Sequence, residues 1–319
     1  MRLFTVTLCS LATLVICDFR QVLANSSPNT QEVITNEFSL TQVPLGEPEP
    51  AIPDENQPLD SEDVENELGE INIISPSQQP SPRRQPNVQL LLRSSAFTSS
   101  NISALEFSQP SDTVFINSAS LLATPKLSED TRLVAAVSGG LARYADKGDF
   151  NYNFLNYNVG VQQRIAPGMY GQLGWVQDRV YRDENGKRLL LDDSIRLSVG
   201  RQDQLDNQIR LDSFYELRAS FATPNDQSRV ANTLGARLRY DISPKLQTAL
   251  DYRLTLKDFT QQERFDTQHQ LSLETIYSIN QDLFIGGSAS YLFGSSSDTT
   301  VDLDNFSIGI NLGLNLPLF

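Results

Sequence analysis

The chain is predicted to be an all-β protein: a transmembrane antiparallel up-and-down β-barrel of about twelve strands behind a disordered N-terminal segment. Three observations predict it. From Val88 onward apolar and polar residues alternate with the two-residue period of a strand. Beyond the first two dozen residues no run of 18 apolar residues occurs, so a membrane crossing would have to use strands. Proline is concentrated ahead of the alternating region, with 10 of 16 prolines at or before Pro86.

At the N-terminus Arg2 precedes an apolar stretch from Leu3 to Cys17, a polar break at Asp18 and Arg20, and Val22-Leu23-Ala24 before a cleavage position. That layout predicts an export signal peptide over residues 1–24. Leu14-Val15-Ile16-Cys17 has the outline of a lipobox, but Ile16 is larger than the small residue such boxes carry before cysteine. Cys9 and Cys17 are the only cysteines, so a chain cleaved after Ala24 has no thiol, which excludes disulfide scaffolds, thiol catalysis and cysteine metal sites.

Residues 25–86 hold 12 acidic residues and two basic ones, Arg83 and Arg84, whereas 87–319 carries 26 acidic and 21 basic. The first stretch repels itself and has little apolar surface to bury, so it is expected to be a disordered, acidic, Pro-rich segment. Its apolar islands, Val33-Ile34 with Phe38-Leu40 and Ile71 to Ile74, read as ordinary linker islands, with docking on a partner as the functional alternative.

In order along the chain, strands are expected at 87–99, 112–124, 131–144, 152–165, 169–181, 188–202, 208–222, 228–242, 245–258, 266–279, 282–295 and 304–319. The late ones alternate best. Leu246, Thr248, Leu250, Tyr252, Leu254 and Leu256 interleave with Gln247, Ala249, Asp251, Arg253, Thr255 and Lys257. Leu234, Ala236, Leu238, Tyr240 and Ile242 oppose Gly235, Arg237, Arg239 and Asp241, and Ile209, Leu211, Tyr215, Leu217 and Phe221 oppose Arg210, Asp212, Glu216 and Arg218. Strands 1, 2 and 5 are the least clearly marked, with poor alternation at Ser94 to Ser100 and Gly168 to Val176. Proline cannot donate to a ladder, and Pro110, Pro125, Pro167, Pro224 and Pro244 fall between the expected strands. An even strand number is what single-chain barrels with both ends on one side require.

A soluble β-protein also alternates; the ionic character of one face and the uncharged, aromatic-fed character of the other favour a membrane barrel. Tyr144, Tyr181 and Tyr291 toward one end and Tyr170, Tyr240 and Tyr277 toward the other are expected in interfacial girdles, while Tyr215 and Tyr252 fall mid-strand.

The last strand, Phe306-Ser307-Ile308-Gly309-Ile310-Asn311-Leu312-Gly313-Leu314-Asn315-Leu316-Pro317-Leu318-Phe319, resembles the closing strand of bacterial outer-membrane β-barrel (porin-like) proteins, a likeness of class. It implies an outer-membrane location with outer-membrane lipid as surroundings, Phe319 as the assembly signal read by the barrel assembly machinery, and residues 25–86 in the periplasm, where they would meet a periplasmic partner. Apolar residues here run on even numbers while Phe319 is odd; either Pro317 marks a bulge that restores the phase or the signal is a lineage variant.

No enzyme is expected. The single histidine, His269, shares parity with the lipid-facing Leu271 while Ser272 points inward, which defeats a shared proton. Asp192-Asp193 and the Asp298, Asp302, Asp304 group read as loop or strand-end charges; no metal, cofactor or nucleic-acid signature is present. The pore-lining candidates are Arg196, Arg210, Asp212, Glu216, Arg218, Arg237, Arg239, Asp241, Asp251, Arg253, Lys257 and Glu274. They predict either facing walls of opposite charge across a water-filled pore, mildly favouring anions, or charges paired across a closed interior. The function expected first is a narrow passive channel for small hydrophilic solutes. The alternative is a closed barrel that anchors or tethers the envelope through its acidic tail, and the sequence leaves the oligomeric state open.

Overall fold

The computed structural model describes residues 87–102 and 111–318. The expected signal peptide over 1–24, the acidic segment 25–86, Pro110 and the terminal Phe319 lie outside the described residues.

Twelve strands follow in chain order: β1 (Val88–Ser99), β2 (Asp112–Ala123), β3 (Thr131–Tyr144), β4 (Tyr152–Ala166), β5 (Met169–Arg182), β6 (Arg188–Asp206), β7 (Ile209–Thr223), β8 (Arg229–Ser243), β9 (Leu246–Phe259), β10 (Phe265–Ser278), β11 (Leu283–Ser296) and β12 (Asn305–Pro317). Each pairs antiparallel with the next, and β1 pairs with β12, so the sheet closes into a barrel. Closure satisfies the edge N–H and C=O groups inside the sheet, the condition for crossing hydrocarbon with strands. Among the described residues no helix is long and apolar enough to cross a membrane.

Strand bounds follow the alternation, with β6 running four residues past its expected end at 202. It does so through a register shift between Gln204 and Asp206, which lets β6 and β7 stay paired down to Ile209. Pro125, Pro167, Pro224 and Pro244 lie between strands. Pro317 is a correction: β12 keeps one unbroken register on β1 from Ser307 to Pro317, so it marks no bulge there.

The two ends of the barrel differ. Val88 and Pro317 open onto one end, the terminal mouth, where 167–168, 207–208 and 244–245 are two-residue turns. The other end, the loop mouth, carries longer connections, 100–111 and 297–304 among them. Outward positions bear large apolar side chains on the middle of the wall, including Leu173, Trp175, Ile195, Leu234 and Leu250. Tyr240, Tyr277 and Tyr291 also face outward, as girdles require. Tyr144 and Tyr170 do not: Tyr144 is buried with Ala142 on the inner face, and the Tyr170 ring lies inside over Gly200.

Inward aromatics over a directly paired glycine recur as Phe154 on Gly140, Phe214 on Gly235 and Phe284 on Gly313. The ring lies flat along the wall because glycine leaves the space a Cβ would take. A Cβ at Gly235 would sit 2.4 Å from the Phe214 ring. Gly235→Val is therefore expected to cost about 1–3 kcal/mol, the usual scale of overpacking, read as a lower urea midpoint; an unchanged midpoint would show that the ring moves freely.

Candidate functional site

Barrels of about eight strands fill with side chains and those of about sixteen hold open water, so with twelve the interior side chains decide whether a path exists. All twelve expected pore-lining residues lie on the inward parity of β6 to β10, opposite in phase to the exposed Ile195, Leu197, Phe221, Leu234, Leu238 and Leu250. Because these strands are contiguous, the charges form one wall. They pair sideways along it, which corrects the expectation of opposed walls or of pairs across the interior.

Near the terminal mouth Arg239 Nε meets Asp212 Oδ2 at 2.9 Å, and Arg237 meets Asp251 at 3.0 Å and also Glu274. Arg253 reaches the same Asp251 at 3.3 Å and lies over the Phe214 ring. Asp241 accepts from Gln247 Nε2 at 2.6 Å, and Arg210 Nε donates to Gln204 at 3.3 Å. These groups stay partly wet: the Arg237 and Glu274 side chains are 25% and 31% exposed. A recess of about 600 Å³ opens at this mouth between turns 207–208, 244–245 and 279–282.

Farther toward the loop mouth the same wall is dry. Arg218 Nη2 bonds Asp178 at 2.6 Å and lies 3.5 Å from Asp192, whose Oδ2 is also 3.3 Å from Arg229. The Arg218 and Arg229 side chains are 2% and 0% exposed. Arg196 sits 4.0 Å from Glu216, Lys257 is buried, and Arg264 grips Asp266 with two bonds of 2.8 and 2.7 Å. Charge withdrawn from water this far holds only when paired. Asp192 corrects the sequence reading as a loop charge: it is an inward, fully buried link between two arginines. Its neighbour Asp193 faces outward and accepts from Gln177.

Asp178, Arg229, Arg264 and Asp266 were not among the expected lining residues. Parity marked three of them, since Asp178 shares the inward phase of Val176, Arg229 that of Ala231 and Asp266 that of Gln268. Arg264 precedes β10, where parity gives no signal.

The other side of the interior is apolar at the loop mouth. Phe97, Val114, Ile116, Ala142, Tyr144, Tyr152, Phe154, Val180, Leu190 and Ala222 pack together inside β1 to β7, joined by Ile102 and Phe150 from the connections. At this level the interior is taken up by this cluster and by the buried ion pairs. The wall left over, on β11, β12, β1 and β2, is lined with small uncharged groups such as Ser95, Ser118, Ser288, Ser290 and Asn311.

At the terminal mouth three further arginines, Arg93, Arg132 and Arg164, take inward positions on β1, β3 and β4. With Arg210 and Arg239 they place cations around most of the rim. The carboxylates at Asp298 and Asp302 are engaged as turn caps, on Thr300 and on the Asp304 backbone N–H. His269 faces outward as its parity predicted, bonded to Tyr252 Oη at 2.9 Å and stacked on Phe293.

Residues 218–316 match the family described as "Putative beta-barrel porin 2". At the level of class this is a porin-like barrel. The chain is similar to an outer membrane channel from Pseudomonas putida F1, at 13% identity and a TM-score of 0.49, over 73% of this chain and 96% of that one. The KdgM porin, solved in complex with disordered oligogalacturonate, is 7% identical at a TM-score of 0.41 over 72% of this chain and 99% of its own. The NanC porin is 12% identical at 0.43, over 70% and 98%. Among curated proteins none matches the chain in sequence.

Proposed function

We propose that this protein is an outer-membrane barrel acting as a narrow passive channel for small hydrophilic solutes, entered from the periplasm through its terminal mouth. The observation that carries the reading is the gradient along the ionic wall, from partly wet groups at Arg237 and Glu274 to dry ones at Arg218 and Arg229. Water reaches well into the barrel from one end and meets a constriction toward the other. Short turns at the terminal mouth and longer connections at the loop mouth support the orientation, since bacterial barrels keep short turns on the periplasmic side.

A preference for anions belongs to the same reading. Within the charged wall cations and carboxylates nearly cancel, so selection falls to the rim, where Arg132, Arg164 and Arg210 take inward positions close to the strand ends at the terminal mouth. No enzymatic step and no cofactor is part of it.

The dryness of the constriction favours one second reading, a closed barrel serving as an envelope anchor or tether. Planar-bilayer recording with unequal salt on the two sides separates the two. Small discrete steps with an anion-biased reversal potential are expected. Silence from protein shown to be folded and inserted would overturn the channel and leave the anchor.

A further inference from the structure

We propose that the barrel associates with a second copy of itself through the lipid-facing side of β10, β11, β12, β1 and β2. This rests on the barrel lying in a bilayer and not on any conduction through it. Mid-strand outward positions on β5, β6 and β9 hold Leu173, Trp175, Ile195, Leu197 and Leu250, whereas those on β11, β1 and β2 hold Gly287, Ala289, Ser94, Ala96 and Asn117. The small side chains leave a depression of about 520 Å³, bordered by Leu273, Ile308 and Ile310, the last two 57% and 64% exposed.

Beside that depression stands a polar group at the wrong depth for lipid. Asn117 is exposed near the middle of β2, with the outward Phe115 and Leu121 on either side of it along the strand. Its Oδ1 accepts from Ser94 Oγ on the adjacent strand at 2.8 Å, but among the described residues its Nδ2 finds no acceptor. Acyl chains offer none, and headgroups lie half a strand away, so the amide stays costly until a polar partner covers it. The outward amide of Asn232 is a different case, since it lies near the loop end of β8 and receives the Tyr215 hydroxyl at 3.0 Å.

A second copy supplies the missing acceptor from the same surface. Across a two-fold axis each Asn117 Nδ2 donates to the other's Oδ1, which has a lone pair beyond the one Ser94 uses. Ser94, Ala96 and Ala119 beside the amide leave room for the two walls to approach.

The test uses the full chain assembled in membranes. A Cβ at Gly287 would meet nothing nearer than a backbone oxygen at 4.0 Å, so Gly287→Leu fills the depression without straining the monomer. Light scattering of the extracted wild type is expected to give a dimer, and Gly287→Leu a monomer with unchanged heat-modifiable mobility. In a Cys9→Ser, Cys17→Ser background, Asn117→Cys is expected to form a disulfide-linked dimer in the membrane while Leu250→Cys, on another face, does not. A monomeric wild type, a Gly287→Leu protein that stays dimeric, or equal cross-linking of the two cysteine variants would each overturn the proposal. A dimer that conducts nothing would leave it standing and remove only the channel.

Discussion

Arg218→Ala is expected to be the most destabilising single change in the ionic wall, costing about 3–5 kcal/mol, the scale for removing one partner of a buried charge pair. Arg218 is 2% exposed, and without it Asp178 loses a 2.6 Å bond while Asp192, fully buried, is left with Arg229 alone at 3.3 Å. The penalty comes from stranded carboxylates more than from the lost attraction, and this makes the idea separable. Asp178→Asn added to Arg218→Met should recover part of the loss, because a neutral amide can be buried more cheaply than an unpaired ion while Asp192 keeps its pairing with Arg229. Urea unfolding of the reconstituted barrel reads both effects. An Arg218→Ala midpoint equal to wild type would mean that water reaches this level of the wall, and the dry constriction would fall with it.

The strand pattern was legible because one face of each strand meets lipid, and lipid tolerates no charge. Leu234 to Ile242 and Leu246 to Leu256 show the two-residue period cleanly, and their bounds fall within a residue or two of the observed β8 and β9. Alternation was weakest where the physics differs. In β1 the outward face holds Ser94, Ala96 and Thr98 while the inward face holds Phe97, so apolar and polar exchange sides. In β2 and β6 the runs Val114-Phe115-Ile116 and Leu189-Leu190-Leu191 are apolar on both faces, because the inner one joins the cluster at the loop mouth.

Parity told which residues point inward but not how they are arranged there. It placed all twelve lining candidates on one face, yet the lateral pairing of Arg237 with Asp251 and Glu274 depends on the strand order closing around them. Asp192 was misread for a related reason. Next to Asp193 and close to a connection it looks like surface charge, and only the arrival of Arg218 from β7 and Arg229 from β8 makes its burial tolerable. The apolar cluster was missed because an inward face was assumed to be polar throughout.

That cluster leads to the second large effect. Phe97 and Phe154 are 4% and 5% exposed and stand opposite the dry part of the ionic wall, so truncating both should widen the constriction and raise single-channel conductance. Each truncation also removes packing, at about 3–5 kcal/mol for Phe→Ala in a filled core. The double variant should therefore unfold at clearly lower urea while conducting more, a combination that general loosening of the outer wall does not produce. The control is Phe221→Ala, an outward residue 64% exposed, whose loss should leave conductance unchanged. If the inserted double variant conducts like wild type, the solute path bypasses the aromatic cluster. It would then run along the small uncharged wall of β11, β12, β1 and β2, where Ser288, Ser290 and Asn311 would set its width.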